Sequence, residues 1–280
     1  MAMTHRSPTV GRTRFLANAL CGVDGTRSSY EAVRQAASLA APDGHLTLLA
    51  VTGRTGSGRY QGAALAPVRA RRALDRARRL AREGGVNSTP ELVDTGPVVD
   101  VVLDRAREHG LLALGAPSMS RLAHLLIGGI ATVAAHNLPC ALLVARRHSA
   151  DTRFDERIMV ASDALSRSDA LVDFAADLAQ VRQASLILLH AARSESAVPT
   201  RIVAQTARVR RTLGSRSRVR VERGRAYSTI AATAAQERVS LIVLASRRVS
   251  GLRALGSVSE RVVHGAPCSV LVLRPEDLRA

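Results

Sequence analysis

Few residues in this chain have the type and spacing to do chemistry, and most of them sit in glycine turns. Gly115-Ala-Pro-Ser118 is followed, nine residues on, by Gly128-Gly129, and Ile130 to His136 reads as a helix. A glycine turn leading into a helix N-terminus offers unpaired backbone N–H groups and the positive end of a dipole, which suits phosphate. The same residues fit a plain strand-to-helix turn with a surface loop. Asp24, in Gly22-Val-Asp24-Gly-Thr, and Asp163 each end an apolar run, where a carboxylate caps the following helix. His136 and His264 each stand three residues before a Pro-Cys pair, with no second ligand at metal spacing, and read as helix-end histidines. His190 is a lone imidazole and reads as packing. Cys140 and Cys268 begin buried-type strands and read as small core residues rather than nucleophiles.

These residues need elements to position them, and hydrophobic periodicity supplies the elements. Phe15 to Val23 is an apolar run, and Ser28 with Glu31 forms a capping box that starts a helix. Val33, Ala36, Ala37 and Ala40 fall at helical spacing, as do Leu171, Phe174, Ala175 and Leu178. Further strands are expected at Leu46 to Val51, Glu91 to Thr95, Leu111 to Leu114 and Ala141 to Ala145. Leu186 to Ala191, Val219 to Arg223, Leu241 to Leu244 and Ser269 to Leu273 answer them. Apolar strands alternating with helices indicate a parallel sheet covered on both faces, with a ligand crevice at the carboxyl ends of the strands.

The pattern occurs twice. His136-Asn-Leu-Pro-Cys-Ala-Leu-Leu-Val and His264-Gly-Ala-Pro-Cys-Ser-Val-Leu-Val stand 128 residues apart, an offset that also maps Gly128 to Gly256 and Gly96 to Gly224. Asp24 maps to Asp163 at an offset of 139, the gaps falling in loops. The fold class is therefore α/β, with two tandem Rossmann-like domains, each a five-stranded parallel sheet with helices on both faces. The polar stretch Arg146 to Glu156 marks the boundary, giving domains at 1–150, whose first fourteen residues read as a flexible tail, and 151–280. Gly53 to Pro67 reads as a glycine-rich loop.

Composition excludes several function classes. No run of 18 apolar residues occurs, so no membrane partner is expected, and three scattered cysteines make no disulfide or zinc framework. A reducing, cytoplasmic setting fits. The formal charge is +17, yet all forty basic residues are arginine, the pattern that coding bias in a GC-rich genome produces. Aromatics are 2% with no Trp, so stacking platforms are scarce and nucleic acid is not an expected partner. The helix Val68 to Arg82 carries seven arginines and reads as a solvated face rather than a polyanion site. GxxxxGK, GxSxG, HExxH and a Ser-Gly-Gly phosphate loop are all absent from the sequence, and no catalytic constellation is visible in it.

The order of elements, the aspartate closing strand one, the glycine pattern and the Pro-Cys strand together resemble the universal stress protein family. The segment Gly256-Ser-Val-Ser-Glu-Arg-Val-Val-His-Gly-Ala-Pro-Cys-Ser-Val-Leu-Val looks like that family's closing segment almost residue for residue. ATP-binding members carry Gly, two residues, Gly, nine residues, Gly, then Ser or Thr. Here Gly115 and Gly128 match, while Ser118 replaces the second glycine and Gly129 the hydroxyl residue. In the second copy Gly256 and Ser257 match, with Val258 next to them, but Ala245 and Arg248 replace the first two glycines and the span is two residues shorter. The resemblance places Asp24 and Asp163 beside the nucleotide and Val51 at the adenine side, although a core valine needs no ligand.

What the resemblance implies is a non-enzymatic stress-response or regulatory protein that binds ATP or another adenine nucleotide, better in domain 1, with Mg²⁺ arriving only with the nucleotide. The rival reading is a degenerate scaffold whose arginine-rich surface docks a partner protein or nucleic acid. Family behaviour further implies that the domains pair through Ala141 to Ala145 and Ser269 to Leu273. It also leaves room for a homodimer of the tandem chain and for an unnamed regulatory protein partner.

Overall fold

The computed structural model describes residues 14–41, 43–52, 65–116, 131, 134–135, 139–147, 153–192, 198–246 and 258–278. The first half contains β1 (Asn18–Gly22), α1 (Arg27–Leu39), β2 (His45–Val51), α2 (Pro67–Glu83), β3 (Asn87–Val93), α3 (Val98–Ala106), β4 (Leu111–Gly115) and β5 (Ala141–Ala145). The second contains β6 (Arg157–Ser162), α4 (Arg167–Val181), β7 (Ser185–Ala192), α5 (Thr200–Leu213), β8 (Ser217–Arg223), α6 (Ala226–Gln236), β9 (Leu241–Ala245), α7 (Val258–Gly265) and β10 (Ser269–Leu273).

All ten strands form one sheet in the order β3-β2-β1-β4-β5-β10-β9-β6-β7-β8. Within each half the neighbours run parallel, and the halves meet where β5 and β10 pair antiparallel, Leu142 with Val272, Leu143 with Leu271 and Val144 with Val270. The expected pairing of the final strands is thus the seam of the molecule. These strands are buried throughout, which their unbroken apolar runs require. The outer edges are of a different kind. Edge strand β3 carries Pro90, and edge strand β8 reads Ser-Arg-Val-Arg-Val-Glu-Arg, two devices that block pairing with another chain.

One hydrophobic layer lies between the sheet and α1, α2, α4 and α5, and a second between the sheet and α3, α6 and α7. Both run through both halves, and the Phe15 and Phe174 rings meet at 5.5 Å across the boundary.

Three sequence expectations need correction. β1 begins at Asn18 rather than Phe15, because Arg14 to Leu16 form a 3-10 turn that carries Phe15 and Leu16 into the core. β3 begins at Asn87, earlier than expected, since an edge strand tolerates Pro90. The cap of α1 is Thr26, whose hydroxyl accepts the Ser29 amide, and Ser28 and Glu31 lie inside the helix rather than forming a capping box. Residues 53–64 of the expected loop lie outside the described residues.

Candidate functional site

Strand order reverses between β1 and β4 in the first half and between β6 and β9 in the second. In an open α/β sheet such a switch point opens a crevice at the strands' carboxyl ends, because the connections on either side leave in opposite directions. Asp24 and Gly115 stand at the first crevice, Asp163 and Ala245 at the second.

Asp24 is exposed just past β1. The Thr26 amide (2.9 Å) and hydroxyl (2.6 Å) both donate to its Oδ1, while Thr26 in turn caps α1. One carboxylate oxygen is thereby fixed. Oδ2 has no partner among the described residues, and Gly25, next in the exposed loop Asp24-Gly25-Thr26, takes φ +77°. Only glycine adopts that conformation without strain.

Asp163 follows β6 at the matching place but is bound on both sides. Its Oδ1 accepts the Leu165 amide at 3.1 Å and the Ser168 hydroxyl, and its Oδ2 accepts Arg167 Nε at 3.0 Å and Nη2 at 2.6 Å. Partial burial would raise its carboxyl, but the Ser168, Leu165 and Arg167 donors outweigh that and hold it below the ordinary aspartate range. Ala164 occupies the Gly25 position at φ +61°, a conformation that costs a non-glycine residue on the order of 1 kcal/mol. Behind it the Ser162 hydroxyl donates to Gln205 Oε1 at 2.7 Å, and Gln205 Nε2 donates to Asp169 at 2.8 Å. Asp169 also pairs with Arg201 and Arg208 and lies below its ordinary range, because donors from Gln205, Arg208 and Arg201 overcome its desolvation. The His190 Nδ1–H donates to the Ser162 carbonyl at 2.9 Å, which makes this histidine part of the packing, as expected.

Gly115 ends β4. A Cβ there would lie 2.4 Å from the Ser28 carbonyl carbon and 2.6 Å from the Ser29 nitrogen, so glycine is required for the first turn of α1 to approach the strand. The matching residue in the second half is Ala245. Val51 ends β2 and is buried in the layer with Leu49 and Val102, a core position. Val258 opens α7 and is 42% exposed. Ser118, Gly128, Gly129, Ile130, Gly256 and Ser257 lie outside the described residues, as do His136, Arg247 and Arg248. The structure therefore brings Asp24 and Gly115 to one crevice through Ser28 and Thr26.

Sequence reading missed Thr26, Arg167 and Ser168. The Asp-x-Thr spacing was a usable signal for the first, since an Asx turn places a carboxylate against the amide two residues on. Cys21, Cys140 and Cys268 are buried, and burial pushes each thiol up to about 12, which keeps them protonated and inert. Among the described residues no group of three or more His, Cys, Asp or Glu is placed to hold a metal ion, and no helix is long and apolar enough to cross a membrane.

Comparison with known proteins follows the same lines. A universal stress protein from Archaeoglobus fulgidus DSM 4304 matches with a TM-score of 0.75 at 18% identity, over 94% of this chain and 98% of its own. A functionally unknown protein from Pseudomonas aeruginosa PAO1 matches at 0.66 and 18%, over 95% of each chain. The cytoplasmic domain of a prokaryotic cation chloride cotransporter matches at 0.58 and 15%, over 92% of this chain and 96% of its own. At these identities the likeness is one of fold. No curated protein sequence matches significantly. The sequence model of the universal stress protein family matches twice, at residues 17–146 and 156–274, and the chain belongs to that family.

Proposed function

We propose that this is a non-enzymatic, cytoplasmic stress-response protein built from units 1–150 and 151–280, whose first crevice holds ATP or another adenine nucleotide and whose second is weak or empty. The observation that carries the asymmetry is the state of the two equivalent carboxylates. Asp24 Oδ2 has no partner among the described residues and is available to accept from a ribose or adenine donor, whereas both oxygens of Asp163 are engaged by Leu165, Ser168 and Arg167. A nucleotide entering the second crevice would have to displace Arg167, two of whose nitrogens donate to Asp163 Oδ2, and a charged pair of this kind is stronger than a neutral hydrogen bond. The phosphates would lie toward β4, and Mg²⁺ would come with them, since the described residues offer no ligand cluster of their own.

Calorimetric titration of the full chain with ATP, with and without Mg²⁺, tests this. Asp24→Ala is expected to weaken binding about tenfold or more, the size of one lost hydrogen bond to a charged group, and Asp163→Ala to leave it nearly unchanged. The reverse pattern would overturn the asymmetry. Absence of heat at millimolar ATP would favour the scaffold reading, and steady release of ADP would refute a non-enzymatic role.

A further inference from the structure

The sheet's opposite end carries a second pair of equivalent hollows, at the amino ends of the first three strands of each half. The one in the first half, about 510 Å³, is bordered by Asn18, Thr89, Glu91, Arg105, Glu108 and His109. Arg105 pairs with Glu91 at 2.6 Å, and with the histidines neutral the lining sums to one negative charge. In the second half the strand register puts Arg157 where Asn18 stands, Arg218 where Thr89 stands and Arg220 where Glu91 stands. That hollow, about 430 Å³, is bordered by Arg157, Arg216, Arg218, Ser185, Ser215 and Glu237. Three guanidinium groups and one carboxylate give it a net charge of +2.

The three arginines arrive from different elements and most of their charge is uncompensated. Arg157 Nη1 donates to the Glu237 backbone carbonyl, and Arg216 Nη1 to the Ala179 and Ala184 carbonyls at 3.4 Å, so both are held by neutral acceptors. Among the described residues neither pairs with a carboxylate. Arg218 reaches Glu237 Oε2 at 3.4 Å, but Glu237 already takes Arg220 on its other oxygen. Arg220 in turn is shared with Glu222 at 2.7 Å. Guanidinium groups fixed by carbonyls are oriented before any ligand arrives, and their planar forks match the oxygens of phosphate.

We propose that this hollow in the second half binds a small phosphate-class anion, the phosphate monoester or pyrophosphate group of a soluble metabolite, with Arg157, Arg216 and Arg218 as donors and the Ser185 and Ser215 hydroxyls beside them. Its charge matches such a group and its volume admits one with a small organic substituent. It lies at the other end of the strands from the nucleotide crevices, so occupancy of one does not exclude the other.

Titration of the full chain with inorganic pyrophosphate, free of Mg²⁺, tests the assignment. Arg218→Gln, a side chain 73% exposed and safe for folding, and the double change Arg216→Gln with Arg218→Gln should weaken binding progressively, the double by about tenfold or more. Glu237→Gln removes the one carboxylate among the described residues that border the hollow and should tighten binding. Asp24→Ala, at the nucleotide crevice, and Arg71→Gln with Arg78→Gln, on the arginine face of α2, should leave it unchanged. Equal losses in the α2 and hollow variants would reduce the effect to general surface charge and overturn the proposal. Loss on Asp24→Ala alone would assign pyrophosphate to the nucleotide crevice instead, and no binding by the unmodified protein at millimolar pyrophosphate would also overturn it.

Discussion

Leu143 and Leu271 stand opposite one another in the antiparallel pair β5–β10, and they are also each other's counterparts in the repeat, 128 positions apart. A local two-fold axis therefore passes between them, and Leu142–Val272 and Val144–Val270 are the same contact seen twice. A self-complementary patch of this kind is what symmetric dimers use, here enclosed within one chain. Both leucines are fully buried.

Leu271→Ala should therefore destabilise the halves together, by about 2–5 kcal/mol for a leucine truncated in a packed core. Urea unfolding read by circular dichroism gives the magnitude. Amide exchange gives the coupling, with protection falling in β1 and β2 as well as in β6 and β7. Loss confined to the second half would mean that the seam does not couple them.

Just past β5, Arg146 crosses into the other half. Its guanidinium donates to the Val263, His264 and Cys268 carbonyls, the last at 3.3 Å, and its amide donates to Ser269 Oγ at 2.9 Å. The counterpart Arg274 donates back to the Pro139 carbonyl. Arg146 satisfies carbonyls at the end of α7 that have no donor of their own within the helix. Burial lowers the pKa of the guanidinium, and the carbonyls offset the penalty by hydrogen bonding. Arg146→Met should cost about 1–3 kcal/mol, because it leaves these carbonyls without a donor, and the urea midpoint would register it. An unchanged midpoint would show that water replaces the guanidinium without penalty.

The strands of this architecture were legible because buried parallel strands must be apolar throughout, and Ala141–Ala145 and Ser269–Leu273 were readable to the residue. The seam was legible only through the family resemblance, since nothing in Leu142 or Val270 taken alone names its partner. The crevice was half legible. Asp24 and Asp163 look alike in sequence, and what separates them is the Arg167 side chain one helical turn on, which donates to Asp163 Oδ2, while Ser28 stands at the matching place in the first half. The charge reversal between the amino-end hollows was hidden for a related reason, because Arg157 lies far in sequence from Arg216 and Arg218 and joins them only when the register of β6, β7 and β8 is known.

Asp163 also makes stability depend on acid. Its carboxyl titrates below the ordinary aspartate value of 3.8 in the folded protein, so it binds its proton less readily there than in the unfolded chain. The stabilisation is thus complete above that ordinary value and is lost as pH falls through the lower folded value. Asp163→Asn should be less stable than the unmodified protein at pH 7 and should converge with it toward pH 3. Asp169, depressed in the same direction, is common to both proteins and cancels in the comparison. Urea midpoints of the two proteins at pH 7, 5 and 3 check this, and a gap independent of pH would show that the ion pair with Arg167 contributes nothing to folding.

Gly115 separates a packing role from a ligand role. The sequence resemblance reads it as the first glycine of a phosphate loop, but a Cβ at this position would sit 2.4–2.6 Å from the backbone of Ser28 and Ser29, well inside contact distance. Gly115→Ala should therefore push the first turn of α1 away from β4, and overpacking against backbone costs about 1–3 kcal/mol. The loss should be present without any nucleotide, because it arises from the helix. It should also weaken ATP binding, since the displaced turn carries Thr26, and Thr26 positions Asp24 Oδ1 at 2.6 Å. The second half provides the control. Ala245 stands at the equivalent place, so Ala245→Gly relieves no clash and should change stability by no more than the modest conformational penalty of glycine, about 0.5–1 kcal/mol. Thermal melts of the two variants without ligand, followed by ATP titration of Gly115→Ala, separate the roles. Full stability with lost binding would return Gly115 to the phosphate loop, whereas lost stability with intact binding would detach Asp24 from the nucleotide site.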